Sequence, residues 1–151
     1  RLVSRGLGDV YKRQGAACLV VDAGTAVTID ALDDSGHHLG GQIIAGVATM
    51  TNALASGTSD LPAVKPGAGR AEAGLDMFAS STAVAIRKGA HNAVAGAVGR
   101  AFRALQSASY DPVLVLTGGD SSRILDALEE TPLHRPHLVL QGLAHMLEHT
   151  R

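Results

Sequence analysis

Between Cys18 and Leu32 the hydrophobic pattern changes once, from continuous to alternating. Cys18-Leu19-Val20-Val21 is a continuous apolar run of the buried type. After Asp22-Ala23-Gly24-Thr25-Ala26, the apolar positions Val27 and Ile29 alternate with Thr28 and Asp30. Two strands joined by a tight hairpin account for both patterns. Leu32 to His38 is a polar Asp/Gly turn, and Leu39 to Gly46 reads as a third antiparallel strand in which Gly40-Gly41 gives a bulge or a close backbone approach. From Gly46 the period becomes helical: Val47, Met50 and Leu54 share one face, and the helix stops near Gly57. Pro62, Pro66 and three glycines make Ser59 to Gly74 a loop. A long helix is predicted over residues 80–107, striped by Ile86, Ala90, Ala93/Val94, Ala97, Ala101 and Leu105, with Gly89, Gly96 and Gly99 lowering its propensity. Asp111-Pro112 turns the chain into Val113-Leu114-Val115-Leu116, a run of the parallel-strand kind. A helix is expected over Ser121 to Glu130, a last strand at Leu138-Val139-Leu140 and a last helix from Gly142 to His149.

The predicted order is therefore β-β-β-α-loop-α-β-α-β-α. A three-stranded antiparallel meander followed by alternating helices and strands is an α/β arrangement, the half-unit of the ribonuclease-H-like, actin-type ATPase fold. Residues 1–14 (RLVSRGLGDVYKRQ) are basic and aperiodic, and are set aside as a non-native or disordered leader ahead of a domain at 15–151.

Composition narrows the chemistry. A chain of 151 residues with 46% hydrophobic and 3% aromatic residues can bury a core built from Ala, Val, Leu and Ile. Thirteen Lys and Arg against 14 Asp and Glu leave no basic footprint for nucleic acid or an anionic membrane. No apolar run approaches the roughly 20 residues of a membrane span. A single cysteine, Cys18, excludes an intrachain disulfide and suits a reducing, cytoplasmic setting.

The chemistry is expected at the turns. Gly24 in the first hairpin can take positive φ, so that an anion approaches the backbone N–H groups; Thr25 adds a hydroxyl and Asp22 can hold a cation beside the anion. The bland alternative is that Asp and Gly serve hairpin geometry only. Gly118-Gly119, at the carboxyl end of a buried strand and opening a helix, stands where α/β sheets bind nucleotides. The helix that begins at Gly46 offers its N-terminus to an anion. His145 and His149 are four apart with no third ligand nearby. His37/His38 and His134/His137 are read as solvated turn residues.

Asp22-Ala-Gly-Thr-Ala, Gly40-Gly-Gln-Ile, Leu116-Thr-Gly-Gly-Asp120 and Leu138-Val-Leu-Gln-Gly-Leu143, in that order, resemble the type III pantothenate kinases of the acetate and sugar kinase/Hsp70/actin superfamily. The resemblance covers Cys18 to the C-terminus. It implies ATP-dependent phosphorylation of pantothenate to 4'-phosphopantothenate, the first step of coenzyme A biosynthesis. ATP, Mg²⁺ and a monovalent cation (K⁺ or NH₄⁺) would be cofactors, and the protein a cytoplasmic homodimer. It makes Asp22 the monovalent-cation ligand, puts Thr25, Gly24, Gly118 and Gly119 at ATP, and puts Thr82, which could equally be a helix cap, at pantothenate. Ala45 stands where the family has Pro. The family's N-terminal phosphate loop and the Gly-x-Asp-Arg segment carrying the general base find no match, so the catalytic residue is expected in a missing N-terminal part and the chain is expected to be inactive alone. A non-catalytic nucleotide-binding or regulatory module of the same superfamily is the alternative, and a structural half-domain a third. The Ile86–Leu105 helix, whose glycines and alanines permit close backbone approach, is the expected dimer contact.

Overall fold

A computed structural model describes residues 15–58 and 77–148. The loop expected at Ser59–Gly74, the leader at 1–14 and His149 lie outside the described residues. Five strands form one sheet: β1 (Cys18–Ala23), β2 (Ala26–Leu32), β3 (His38–Ala45), β4 (Val113–Thr117) and β5 (Leu133–His134). Their order is β3-β2-β1-β4-β5. The β1–β2 and β2–β3 pairs are antiparallel, whereas β1–β4 and β4–β5 are parallel. This is the expected meander joined to a parallel half. The helices are α1 (Val47–Gly57), α2 (Thr82–Ser107), α3 (Ser121–Ile124), which tightens into a 3₁₀ turn at Leu125–Ala127, and α4 (Leu138–Glu148).

Alternation along the strands sends side chains to two faces. On one face Leu19, Val21, Ala23, Val27, Ile29, Leu114 and Leu116 pack against Val94, Val98 and Leu105 of α2 and Ile124 of α3. Val94 and Val98 are fully buried, so the predicted stripe on α2 is real, although Ala93 faces outward and Val94 carries the contact. On the other face Cys18, Val20, Leu32 and Val115 pack against Leu138, with which α4 begins. The predicted bulge is present: β2 and β3 shift register between Ala31 and Leu32, opposite Gly40, whose φ is +142°.

Two expectations are corrected. Leu138-Val139-Leu140 is not a strand but the first turn of α4, and Leu133–His134 takes the place beside β4. A three-residue apolar run has no period of its own, and here Leu138 alone faces the core while Val139 and Leu140 are exposed. Helical turning begins ahead of α4, with the Leu138 N–H donating to the Arg135 carbonyl at 3.2 Å. Pro136 sits in that turn ahead of the helix, where a missing N–H leaves no bond unmade. The second correction is the helix expected to Glu130, which ends its α-helical part at Ile124. The tighter 3₁₀ turn lets Leu125 and Leu128 both reach the α2-face core.

Candidate functional site

β1 and β4 run side by side and end together, with Asp22 paired to Thr117. Beyond them the chain turns at Gly118-Gly119-Asp120 before entering α3. Gly118 has φ +96°, and a Cβ there would strike the Ala23 carbonyl oxygen and Asp22 Oδ1, and come within 2.6 Å of the Ala23 nitrogen. Only glycine lets this turn lie against the Asp22 carboxylate. Gly119, by contrast, would meet nothing. The Asp120 N–H donates to the Ala23 carbonyl at 2.9 Å, pinning the turn to β1. The Asp120 carboxylate takes the Arg123 guanidinium at 2.6 Å on the exposed side.

The β1–β2 hairpin supplies the second wall. The Gly24 N–H donates to the Ala26 carbonyl at 3.0 Å and Gly24 keeps a negative φ, which corrects the expectation that its positive φ would open this amide to an anion. The glycine that is required is Gly46. Its Cβ would strike the Gly24 carbonyl oxygen and lie 2.8 Å from the Thr25 carbonyl oxygen. That oxygen accepts the Gly46 N–H at 2.9 Å and the Thr49 hydroxyl at 2.7 Å, tying the hairpin tip to the first turn of α1. Gly46 N-caps α1 with extended backbone, so the hairpin tip and a helix N-terminus stand together. The Thr25 side chain is exposed beside them.

Asp22 is half-buried, and its carboxyl is pushed above the usual carboxylate range, first by burial and then by the negative charge of Asp30. The hairpin register explains the second cause. Asp22 pairs with Thr28 and Val20 with Asp30, so the two carboxylates are diagonal neighbours on the same sheet face. Asp30 Oδ1 in turn meets His38 Nε2 at 2.9 Å.

Asp22, Gly24, Thr25, Gly118 and Gly119 thus lie at one end of the sheet. Thr82 does not join them by any hydrogen bond among the described residues; it is the exposed first residue of α2, and the cap position belongs to Ser81. Among the described residues no group of three or more His, Cys, Asp or Glu side chains could hold a metal ion. Three of the histidines read as solvated turn residues have defined partners: His38 holds Asp30 from β3, His37 Nδ1 lies 3.3 Å from Asp33 Oδ2, and His134 in β5 shares a 2.8 Å hydrogen bond with the buried Ser121. His37 and His137 are exposed. Asp30 was legible in principle, because a tight hairpin after Ala23 places every second residue of β2 on the Asp22 face.

The family profile described as type III pantothenate kinase matches residues 6–104, more than half of the chain. The chain belongs to the type III pantothenate kinase family. A type III pantothenate kinase of Rhodopirellula baltica is 38% identical over 146 residues, covering 95% of this chain and 52% of that protein. One from Azoarcus sp. is 44% identical over 131 residues, covering 86% of this chain and 46% of that protein. The chain spans about half the length of these curated relatives. Among solved structures, a Campylobacter jejuni protein described as a Baf family transcriptional activator superposes with a TM-score of 0.59 at 22% identity, covering 95% of this chain and 64% of that one. That likeness concerns the fold alone.

Proposed function

We propose that this chain supplies the nucleotide- and cation-binding half of a kinase that phosphorylates pantothenate with ATP, the first step towards coenzyme A. One observation carries the reading. A half-buried carboxylate, Asp22, lies directly under Gly118, a turn position that no side chain could occupy, next to a hairpin tip bonded to a helix N-terminus. Burial and the Asp30 charge disfavour the ionised form of Asp22, so a cation held there would relieve a cost already present in the fold. One carboxylate suits a monovalent ion, K⁺ or NH₄⁺, completed by backbone and phosphate oxygens, better than a closed divalent site. Mg²⁺ would arrive with the nucleotide.

Within this reading Gly118 and Gly119 let the nucleotide approach the backbone, Gly24 and Thr25 face its phosphates across the hairpin, and the Thr25 hydroxyl donates to ATP. Thr82, on a separate element, contacts pantothenate. Phosphoryl transfer asks the protein for positioning and charge neutralisation, with a carboxylate orienting the acceptor hydroxyl. The bound cation would supply positive charge between Asp22 and the phosphates. The general base belongs to the other half of the family's longer chain. A homodimer, through the outward Gly89 and Gly96 of α2, which would meet nothing if they carried a Cβ, completes the proposed assembly in the cytoplasm.

The test is a coupled ADP-release assay with ATP, Mg²⁺ and pantothenate, titrated with K⁺. The chain alone is expected to show no turnover near about 1 per second. Joined to the other half of a relative, it is expected to turn over with K⁺ dependence, and Asp22→Asn to lose that dependence. An Asn variant with the wild-type K⁺ response would make Asp22 a turn residue and end the assignment. Nucleotide binding without turnover in the joined protein would favour a regulatory module.

A further inference from the structure

The turn at Gly118–Asp120 is held from two sides. On the β1 side stand the Asp120 N–H bond to Ala23 and the fit of Gly118 against Asp22. On the other side Ser121, only 2% exposed, places its Oγ 2.8 Å from His134 Nε2. His134 belongs to β5 and is paired to Leu116 of β4. Its neighbour Arg135 donates its N–H to the Leu116 carbonyl at 2.7 Å, so the backbone carrying His134 is bonded to the strand that leads into the turn. The Ser121 N–H reaches back to the Gly118 carbonyl at 3.2 Å. The last strand of the sheet therefore grips the turn through a partly buried side-chain hydrogen bond.

We infer that His134, through its hydrogen bond to the buried Ser121 hydroxyl, is a positioning residue for the nucleotide site, holding the Gly118–Asp120 turn in register with Asp22. The inference rests on the proposed nucleotide reading and adds to it a residue from the far edge of the sheet. The physical argument is that a glycine turn with one member at φ +96° has few side-chain contacts of its own, so external bonds fix its position. Removing His134 leaves the Ser121 hydroxyl buried without a partner, which costs more than the bond itself contributed; removing both partners restores most of that loss. Neither group needs to touch the ligand.

The experiment combines amide hydrogen exchange with equilibrium binding of ATP in the presence of Mg²⁺ and K⁺. The reporters are the Asp120 amide, bonded to Ala23 of β1, and the Ser121 amide, bonded to Gly118 within the turn. His134→Ala is expected to speed exchange at both and to weaken ATP binding about five- to tenfold. Ser121→Ala should do less, and the double variant no worse than His134→Ala. His134→Gln, whose amide reaches the position of Nε2, should restore affinity. Val113→Ala, at the opposite end of β4, serves as the stability control: it should lower the melting temperature while leaving affinity and the two amides unchanged. If Val113→Ala weakens binding as much at an equal loss of Tm, or if the two single losses add, the positioning role is overturned. Wild-type affinity in His134→Ala overturns it as well. A wild-type chain that fails to bind ATP while the variants show the expected exchange pattern overturns the nucleotide reading, and the link from this hydrogen bond to a ligand falls with it.

Discussion

The two faces of the sheet are built from the same five strands and differ in what they exclude. On the α2 face, apolar residues fill every inward position from Leu19 to Ala23 and from Leu114 to Leu116, closed by a helix of 26 residues. On the α4 face, apolar packing stops at Val20 and Val115. Asp30 stands beside Val20, and further along Asp22, Thr28 and Thr117 take the positions of this face, with Ile43 77% exposed. A helix of 11 residues, anchored in the core by Leu138, covers the first part only. One face supplies the stability that lets the other end in the Asp22 carboxylate beside a glycine turn.

The sharpest way to break that contrast is in the α2-face core. Leu116→Ala opens a cavity at a fully buried position and is expected to cost about 3 kcal/mol, read by urea denaturation. A loss below about 1 kcal/mol would mean that α2 is not the element holding the sheet. Next comes Gly118→Ala, which meets the β1 backbone and a positive φ together; about 2 kcal/mol or more is expected, against under about 0.5 for Gly119→Ala in open space. Equal effects at the two glycines would remove the close approach on which the site depends.

Asp22→Asn separates function from stability. The folded pKa of Asp22 is raised, so the native state holds that proton more tightly than the unfolded chain does. Stability from this group therefore falls as pH rises from the unfolded value of 3.8 through the folded one, and the deficit persists at neutral pH. The Asn variant should melt at or slightly above the wild-type temperature at pH 7 and lose part of the decline between acid and neutral pH. A clear drop in melting temperature would show the carboxylate to be a structural partner rather than a poised ligand. Asp33 works in the opposite sense. The His37 backbone N–H at 2.8 Å, supported by the His37 ring and the Ser35 N–H at 2.9 Å, lowers its pKa. Its contribution is present above pH 3.8 and is lost as pH falls through the folded value, so Asp33→Asn should flatten the acid limb of the stability curve. The smallest effect is at Cys18, whose thiol is pushed up to about 12 by burial. At pH 8 it should resist alkylation in the native state and react only on unfolding. Prompt labelling would show that α4 does not stay seated on its end of the sheet.

Local pattern and tertiary structure divided the outcome along physical lines. Where a periodic signal was long, the sequence alone determined the result: the β1–β2 hairpin, the third strand with its bulge, α1 and the 26 residues of α2 each repeat their pattern often enough to exclude the other period. The four short motifs, in order, also pointed to the family. What only the tertiary structure decided were choices between local near-equals. Leu138-Val139-Leu140 could be strand or helix, and the choice fell to which residue fills the gap beside Cys18, Val20 and Val115. Gly24 and Gly46 both looked available for a ligand turn, yet only Gly46 is pressed against a carbonyl. His134 and Ser121 stand 13 residues apart with no motif between them, and became partners because β5 lies beside β4. Hydrogen bonds between separate elements leave no period in the sequence, since each side chain needs only the right position in space.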